Sequence, residues 1–186
     1  MDNGANGFIT NSTVSGNAIH ATASKGAGLA TALAGGVYGE GDLSFLDATV
    51  ARNLVARAGH TGTAGGGGLL SNGPPPKLEA TILALNTAPP KGGPNCYGSV
   101  SSGGHNLLGT TSGCQFAHKT TDKLHRDPKL GSLADNGGAT HTLALLSGSP
   151  AIDAIPKPAC DVRTDQRGVR RPQGPRCDIG AYERKV

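Results

Sequence analysis

The side chains with the most direct capacity for chemistry are four acids in the first half of the sequence, Glu40, Asp42, Asp47 and Glu79. Glu40 and Asp42 stand two positions apart, so in a strand both would face one side, as a hydrolytic carboxylate pair requires. Arg52 and Arg57 follow close behind and would stabilise developing negative charge. Against a catalytic role, Gly39-Glu40-Gly41-Asp42 reads equally well as a turn. The six histidines, His20, His60, His105, His118, His125 and His141, are scattered through glycine-rich or polar stretches and have no metal-ligand spacing. The sequence contains no nucleophile elbow, zinc-protease helix signature, Walker A loop or Ser-x-x-Lys motif. Asp135-Asn136-Gly137-Gly138 is oxygen-rich enough to accept Ca2+, but it reads first as a β-turn. The expectation is no metal and no cofactor.

Cys96, Cys114, Cys160 and Cys177 fall in the second half as two local pairs, separated by 18 and 17 residues. Neither pair has the Cys-x-x-Cys spacing of a zinc site. Local loop closure favours the bridges Cys96–Cys114 and Cys160–Cys177, each contributing about 3 kcal/mol by restricting the unfolded chain. Such bridges need an oxidising compartment, which places the protein in the extracellular space or at the cell surface. Met1-Asp2-Asn3-Gly4 opens no signal peptide, and no run approaches the ~20 apolar residues of a membrane span. The expectation is a truncated piece, with an export signal and further repeats upstream.

Composition constrains the elements that must position these residues. Thirty glycines and twelve prolines make up over a fifth of the 186 residues, aromatics are 3%, and there is no tryptophan. A chain so poor in bulky rings must bury aliphatic and small side chains in a narrow interior, as a stacked repeat does. The formal charge is +4. Much of the excess lies near the C-terminus, at Arg163, Arg167, Arg170, Arg171, Arg176, Arg184 and Lys185, interleaved with Asp161, Asp165, Asp178 and Glu183. That mixture reads as a solvated, internally paired loop region. Nucleic acid would require an unopposed basic stripe with aromatics to stack on bases, and no such partner is expected.

An imperfect repeat runs through the first half. Phe8-Ile-Thr-Asn-Ser-Thr-Val-Ser-Gly-Asn17, Ser44-Phe-Leu-Asp-Ala-Thr-Val-Ala-Arg-Asn53 and Lys77-Leu-Glu-Ala-Thr-Ile-Leu-Ala-Leu-Asn86 are β-prone stretches whose terminal asparagines lie 36 and then 33 residues apart. Asp47 takes the position that Asn11 has in the first copy. Between the copies lie Gly35-Gly36-Val37-Tyr38 and Gly65-Gly66-Gly67-Gly68-Leu69-Leu70. A period near 35 marks a repeat architecture, here all-β, a parallel β-helix of a few coils. Val14, Val50 and Leu83 would stack inside it, and Asn17, Asn53 and Asn86 would form a ladder at a corner, where asparagine tolerates left-handed backbone. From about residue 90 the repeat stops, and the expected domains are coils over 1–90 and a loop-rich cap on the open end of the stack over 91–186.

These repeats resemble bacterial right-handed parallel β-helix proteins, and distantly the polymorphic outer-membrane protein repeats. The tail carries longer motifs. Asp127-Pro-Lys-Leu-Gly-Ser-Leu-Ala-Asp-Asn-Gly-Gly138 leads to His141-Thr-Leu-Ala-Leu-Leu-Ser-Gly-Ser-Pro-Ala-Ile-Asp153, then Asp165-Gln-Arg-Gly168, Arg171-Pro172 and Cys177-Asp-Ile-Gly-Ala-Tyr-Glu183. Their order resembles the choice-of-anchor Q domain, which ends many large secreted β-helix proteins. The resemblance implies fold and export, and no settled reaction.

Two functions follow as expectations. One is a surface module, structural, adhesive or binding a polysaccharide or cell-surface glycan. The other is a glycoside hydrolase or polysaccharide lyase using Glu40 and Asp42, by analogy with enzymes of this fold. An open first coil presenting Phe8, Ile9 and Val14 would also favour a homodimer.

Overall fold

A computed structural model describes residues 6–22, 30–58 and 62–185. Among these the chain is all-β, with eighteen short strands, one 3-10 turn at Lys157–Ala159 and no α-helix. The first pass of the chain forms β1 (Gly7–Thr10), β2 (Thr13–Ser15) and β3 (Ala18–Thr22). The second forms β4 (Ala32–Leu33), β5 (Val37–Gly39), β6 (Leu43–Leu46), β7 (Thr49–Ala51) and β8 (Leu54–Ala58). The third forms β9 (Ala64–Gly65), β10 (Leu69–Ser71), β11 (Lys77–Glu79) and β12 (Ile82–Ala84). Then come β13 (Cys96–Gly104), β14 (Leu107–Leu108), β15 (Cys114–Ala117) and β16 (Lys123–Leu124), and finally β17 (Leu130–Ala134) and β18 (Thr142–Leu145).

Every pairing up to β16 is parallel and joins equivalent strands of successive passes. One sheet runs β1-β6-β11-β13-β10-β5, with β15 added on β13, and a second runs β16-β14-β12-β7-β2. In the second sheet Val14, Val50, Leu83, Leu108 and Leu124 share one register line. They point into a core completed by Phe45, Leu69, Leu78 and Val100. The strands are short because each pass turns at corners with left-handed backbone. Asn11, Asp47, Ala80 and His105 hold φ between 46° and 55° at one corner, and Gly16, Arg52 and Leu85 hold 74°, 60° and 60° at another.

That second corner precedes the asparagines. The left-handed residue is the one before Asn17, Asn53 or Asn86, not the asparagine itself. Freed from the turn, the amides run up the stack. Asn17 Nδ2 donates to Asn53 Oδ1 at 3.0 Å, and Asn53 Nδ2 donates to Asn86 Oδ1 at 3.0 Å and to the Val14 carbonyl at 3.0 Å. The backbone N–H groups of Asn17 and Asn53 donate to the next Oδ1 as well. The glycine pairs sit directly against this ladder. A Cβ at Gly68 would lie 2.6 Å from Asn86 Nδ2 and 2.6 Å from the Asn95 carbonyl, so any side chain there would push the two passes apart.

The division expected at residue 90 takes a different form in the structure. Parallel pairing does not stop near residue 90 but continues to Leu124. The separation along the central register line falls from 36 and 33 residues to 25 and then 16. Shortened passes keep register while losing the sequence period. The remaining tail packs along the side of the stack. It lies along the flank of the second sheet, whose outward side chains Ala51, Ile82, Ala84 and Leu107 pack against Leu130, Leu143, Ile155 and Ile179. Apolar residues on both faces of these strands give the sheet two cores, and each fully buried aliphatic of the tail contributes about 2 kcal/mol.

Both disulfides form as the local pairs. Cys96–Cys114 ties β13 to its neighbour β15, and Cys160–Cys177 closes a loop within the tail.

The ladder predicts a graded response to truncation. Asn86→Ala strips the Val50 carbonyl and the Asn53 N–H of buried partners, and should cost about 2–4 kcal/mol in denaturant unfolding. Asn17→Ala, at an exposed position, should cost under about 1 kcal/mol. Equal losses at the two sites would contradict the ladder.

Candidate functional site

The acids singled out from the sequence separate into three environments. Glu40 and Asp42 lie in the bend between β5 and β6, both exposed. They line one shallow cavity of about 200 Å³ with Val37, Tyr38 and Leu43. The bend, rather than a strand, carries them, because the flanking glycines let the chain turn from one strand into the next. Tyr38 Oη donates to Glu40 Oε1 at 2.6 Å, and this bond to the carboxylate holds the phenol above its usual pKa. Glu79 instead pairs with Lys77 on the same strand at 2.6 Å, half-exposed. Arg52 does not reach either acid. Its guanidinium donates to the carbonyls of Gly131 and Leu130 at 2.6 and 2.8 Å, docking the β17–β18 hairpin on the stack. Arg57 lines a separate cavity of about 180 Å³ with Lys91 and Tyr97.

Asp47 is buried, at the left-handed corner before β7, and faces a charged cluster contributed by the tail. Arg171 Nη1 lies 3.6 Å from the Asp47 carboxylate and 3.2 Å from that of Glu183. Glu183 also accepts from the N–H groups of Gln173 and Asp178. Asp165 receives a two-pronged bond from Arg167 at 2.9 and 2.6 Å, and the Arg167 guanidinium lies 3.6 Å above the Tyr182 ring. Of the tail charges, expected to be a solvated and internally paired loop, Asp161, Arg163, Arg170, Arg176, Arg184 and Lys185 are exposed, whereas the paired cluster is out of water. Glu183 is 0%, Asp178 2%, Asp165 3% and Arg171 9% exposed. Burial is affordable only because each carboxylate meets a guanidinium or several N–H donors. Gly180 brings the segment close, donating its N–H to the Ala80 carbonyl while Ala181 N–H reaches Thr49 Oγ1.

Burial raises the Asp47 carboxyl to about 7, against the pull of Arg171 and with Asp161, Glu183 and Glu79 adding repulsion. Burial likewise raises Asp178 to about 6, although N–H donors from Arg184 and Asp153 favour its ionised form. The cluster therefore holds protons that the unfolded chain would release, and its chemistry is to clamp the tail.

Asp135 Oδ1 accepts the Gly137 N–H at 3.0 Å, and Asn136 donates across to Thr142, so this stretch is the turn of the β17–β18 hairpin. Among the described residues, no three His, Cys, Asp or Glu side chains converge as metal ligands would, and no helix is long and apolar enough to cross a membrane. Compared with known proteins, the chain matches no family model, no curated protein and no solved structure.

The sign of the pH dependence follows from the raised values. Between the ordinary aspartate value of 3.8 and about 7, the folded protein binds more protons than the unfolded chain. Stability is then greatest in mild acid and falls as pH rises towards 7. Melting temperatures from pH 4 to 8 should show this decline, and Asp47→Asn should flatten most of it. Arg171→Met, which strands Glu183 without its cation, should cost about 3–5 kcal/mol at neutral pH. A slope unchanged in Asp47→Asn would contradict the assignment.

Proposed function

We propose that the chain is an exported, cell-surface or secreted module of the right-handed parallel β-helix type, which binds extracellular polysaccharide along its exposed strand faces. The observation that carries this reading is the stack of parallel passes bridged by a disulfide between neighbouring strands. Such bridges belong to oxidising surroundings, and a long face of equivalent strands offers a repeating polymer one contact per pass. The tail motifs that resemble the choice-of-anchor Q domain support the same assignment, since Asp165, Cys177 and Glu183 brace the tail internally and Arg171 joins it to Asp47 of the stack.

A second reading, cleavage of that polysaccharide, is favoured by one observation, the convergence of Glu40 and Asp42 on a single cavity. Both carboxylates stand exposed in a bend, whereas a glycosidase pair sets one acid in a sheltered site. Binding is therefore the stronger reading. Co-sedimentation with a panel of insoluble polysaccharides, with released reducing ends measured in the same tubes, separates the two. We expect retention without release. Release that disappears in Glu40→Gln and Asp42→Asn would establish the enzymatic reading in its place.

The first pass also offers a contact between copies. Phe8 is 75% exposed, Ile9 and Val14 are only half-buried, and β1 and β2 end their sheets. Such edges recruit a second strand, and two identical edges close a twofold dimer. Sedimentation should show self-association that Val14→Asp weakens. A monomer at high concentration would exclude it.

A further inference from the structure

On the outer face of the sheet segment β5-β10-β13, Tyr38, Leu70 and Tyr97 occupy one register line. The residues just before them, Val37, Leu69 and Cys96, pack in the interior, so alternation along each strand aims this line outward. Tyr38 is 43% and Tyr97 40% exposed, while Leu70 between them is only 4% exposed. The two tyrosines are two strand spacings apart, about 9.5 Å along the stacking direction. They are two of only three tyrosines in the sequence, and the core does not need their rings.

Both rings are held in place. A Cβ built on Gly65 would lie 3.3 Å from two ring carbons of Tyr97, so that ring rests on the glycine backbone and leaves another part of its surface open. Tyr38 is tethered through its hydroxyl by Glu40. Fixing the rings beforehand removes part of the entropy cost of binding.

We propose that Tyr38 and Tyr97, with Leu70 at the register position between them, form a stacking platform for an extended, uncharged, β-linked polysaccharide lying along the stack, with Glu40, Asp42 and Asn72 bonding to its hydroxyls. This rests on the polysaccharide-binding reading above and assigns its site. The flat faces of pyranose rings carry C–H groups that pack against aromatic faces. In an extended β-linked chain every second sugar repeats its orientation, and the tyrosine spacing matches that disaccharide repeat. The charges around the platform select an uncharged chain. Glu40 and Asp42 stand at the Tyr38 end, while Lys91 and Arg57 stand at the Tyr97 end, so neither sign of polymer is favoured along the whole line. A protein partner would need a broader apolar patch than two rings and one covered leucine.

The test is calorimetric titration of the whole chain with cellohexaose, with an oligogalacturonate of equal length as the charged comparison. Tyr38→Ala and Tyr97→Ala should each weaken cellohexaose binding about ten-fold, the loss of one aromatic contact. Tyr97→Phe should bind nearly as the parent does, which separates loss of stacking from loss of fold. Unchanged cellohexaose affinity in both alanine variants would overturn the platform while leaving polysaccharide binding intact. Preference for the oligogalacturonate would overturn the choice of an uncharged ligand. If no polysaccharide in the wider panel bound the parent chain, the functional reading and the platform would fail together.

Discussion

The side-chain amides of Asn53 and Asn86 are closed off from water, and the groups that satisfy them come chiefly from the passes above and below. A buried amide left unpaired costs about 1–3 kcal/mol for each lost bond, so the asparagines permit one vertical alignment of the chain and penalise the others. A slip of one residue would also turn every inward aliphatic outward. The rest of the stack is arranged around this demand. The left-handed turn falls one residue earlier, and Gly36 and Gly68 stay bare of side chains because the amides of Asn53 and Asn86 and the carbonyls of the next pass occupy that space. Asn95 extends the ladder by accepting from Asn86 and donating to the Thr110 carbonyl.

The tail depends on the stack in turn. Its apolar residues need the outward face of β7 and β12, and its charges need Asp47, which reaches them from the corner of the second pass. Arg171 sits between Asp47 and Glu183, so one guanidinium joins the tail's own cluster to the strand stack. Pairing of this kind adds little net stability over an apolar contact but is severe on misplacement, because a shifted Arg171 would leave two buried acids without their cation. Position along the flank is thereby fixed more sharply than apolar packing alone would fix it. The first sheet's outer face, where Tyr38 and Tyr97 stand, lies outside this clamp.

Much of the strand stack was legible in the sequence. Val14, Val50 and Leu83 stand at equal distances from the asparagines that follow them, and that shared offset gives their register. The cysteine separations gave the bridges. The passes after residue 90 were hidden because their lengths shrink to 25 and 16 residues, so a search for a fixed period loses them. Asn95 follows Asn86 by only nine residues in sequence, although it stands one step further along the ladder. The position of the left-handed corner was equally hidden, since Gly16, Arg52 and Leu85 share no side-chain chemistry. Of the acids, Glu40 and Asp42 do converge, but Asp47 faces Arg171 from 124 residues away, a pairing that no local pattern announces. Tyr38 left one signal, its place directly after the apolar residue of a glycine step, and Tyr97, behind Pro94, Asn95 and Cys96, did not share it.

The asparagine ladder is buried and bonded at Asn53 and Asn86, and the register of the parallel strand stack depends on it. Native-state hydrogen exchange followed by NMR reads this directly, through the side-chain amide protons and backbone N–H groups of Asn53 and Asn86. The account predicts that these protons exchange only with global unfolding, at rates that track the stability of the whole chain as denaturant is added. Exchange of the Asn53 and Asn86 amides as fast as those of an exposed asparagine, with the fold intact, would contradict it.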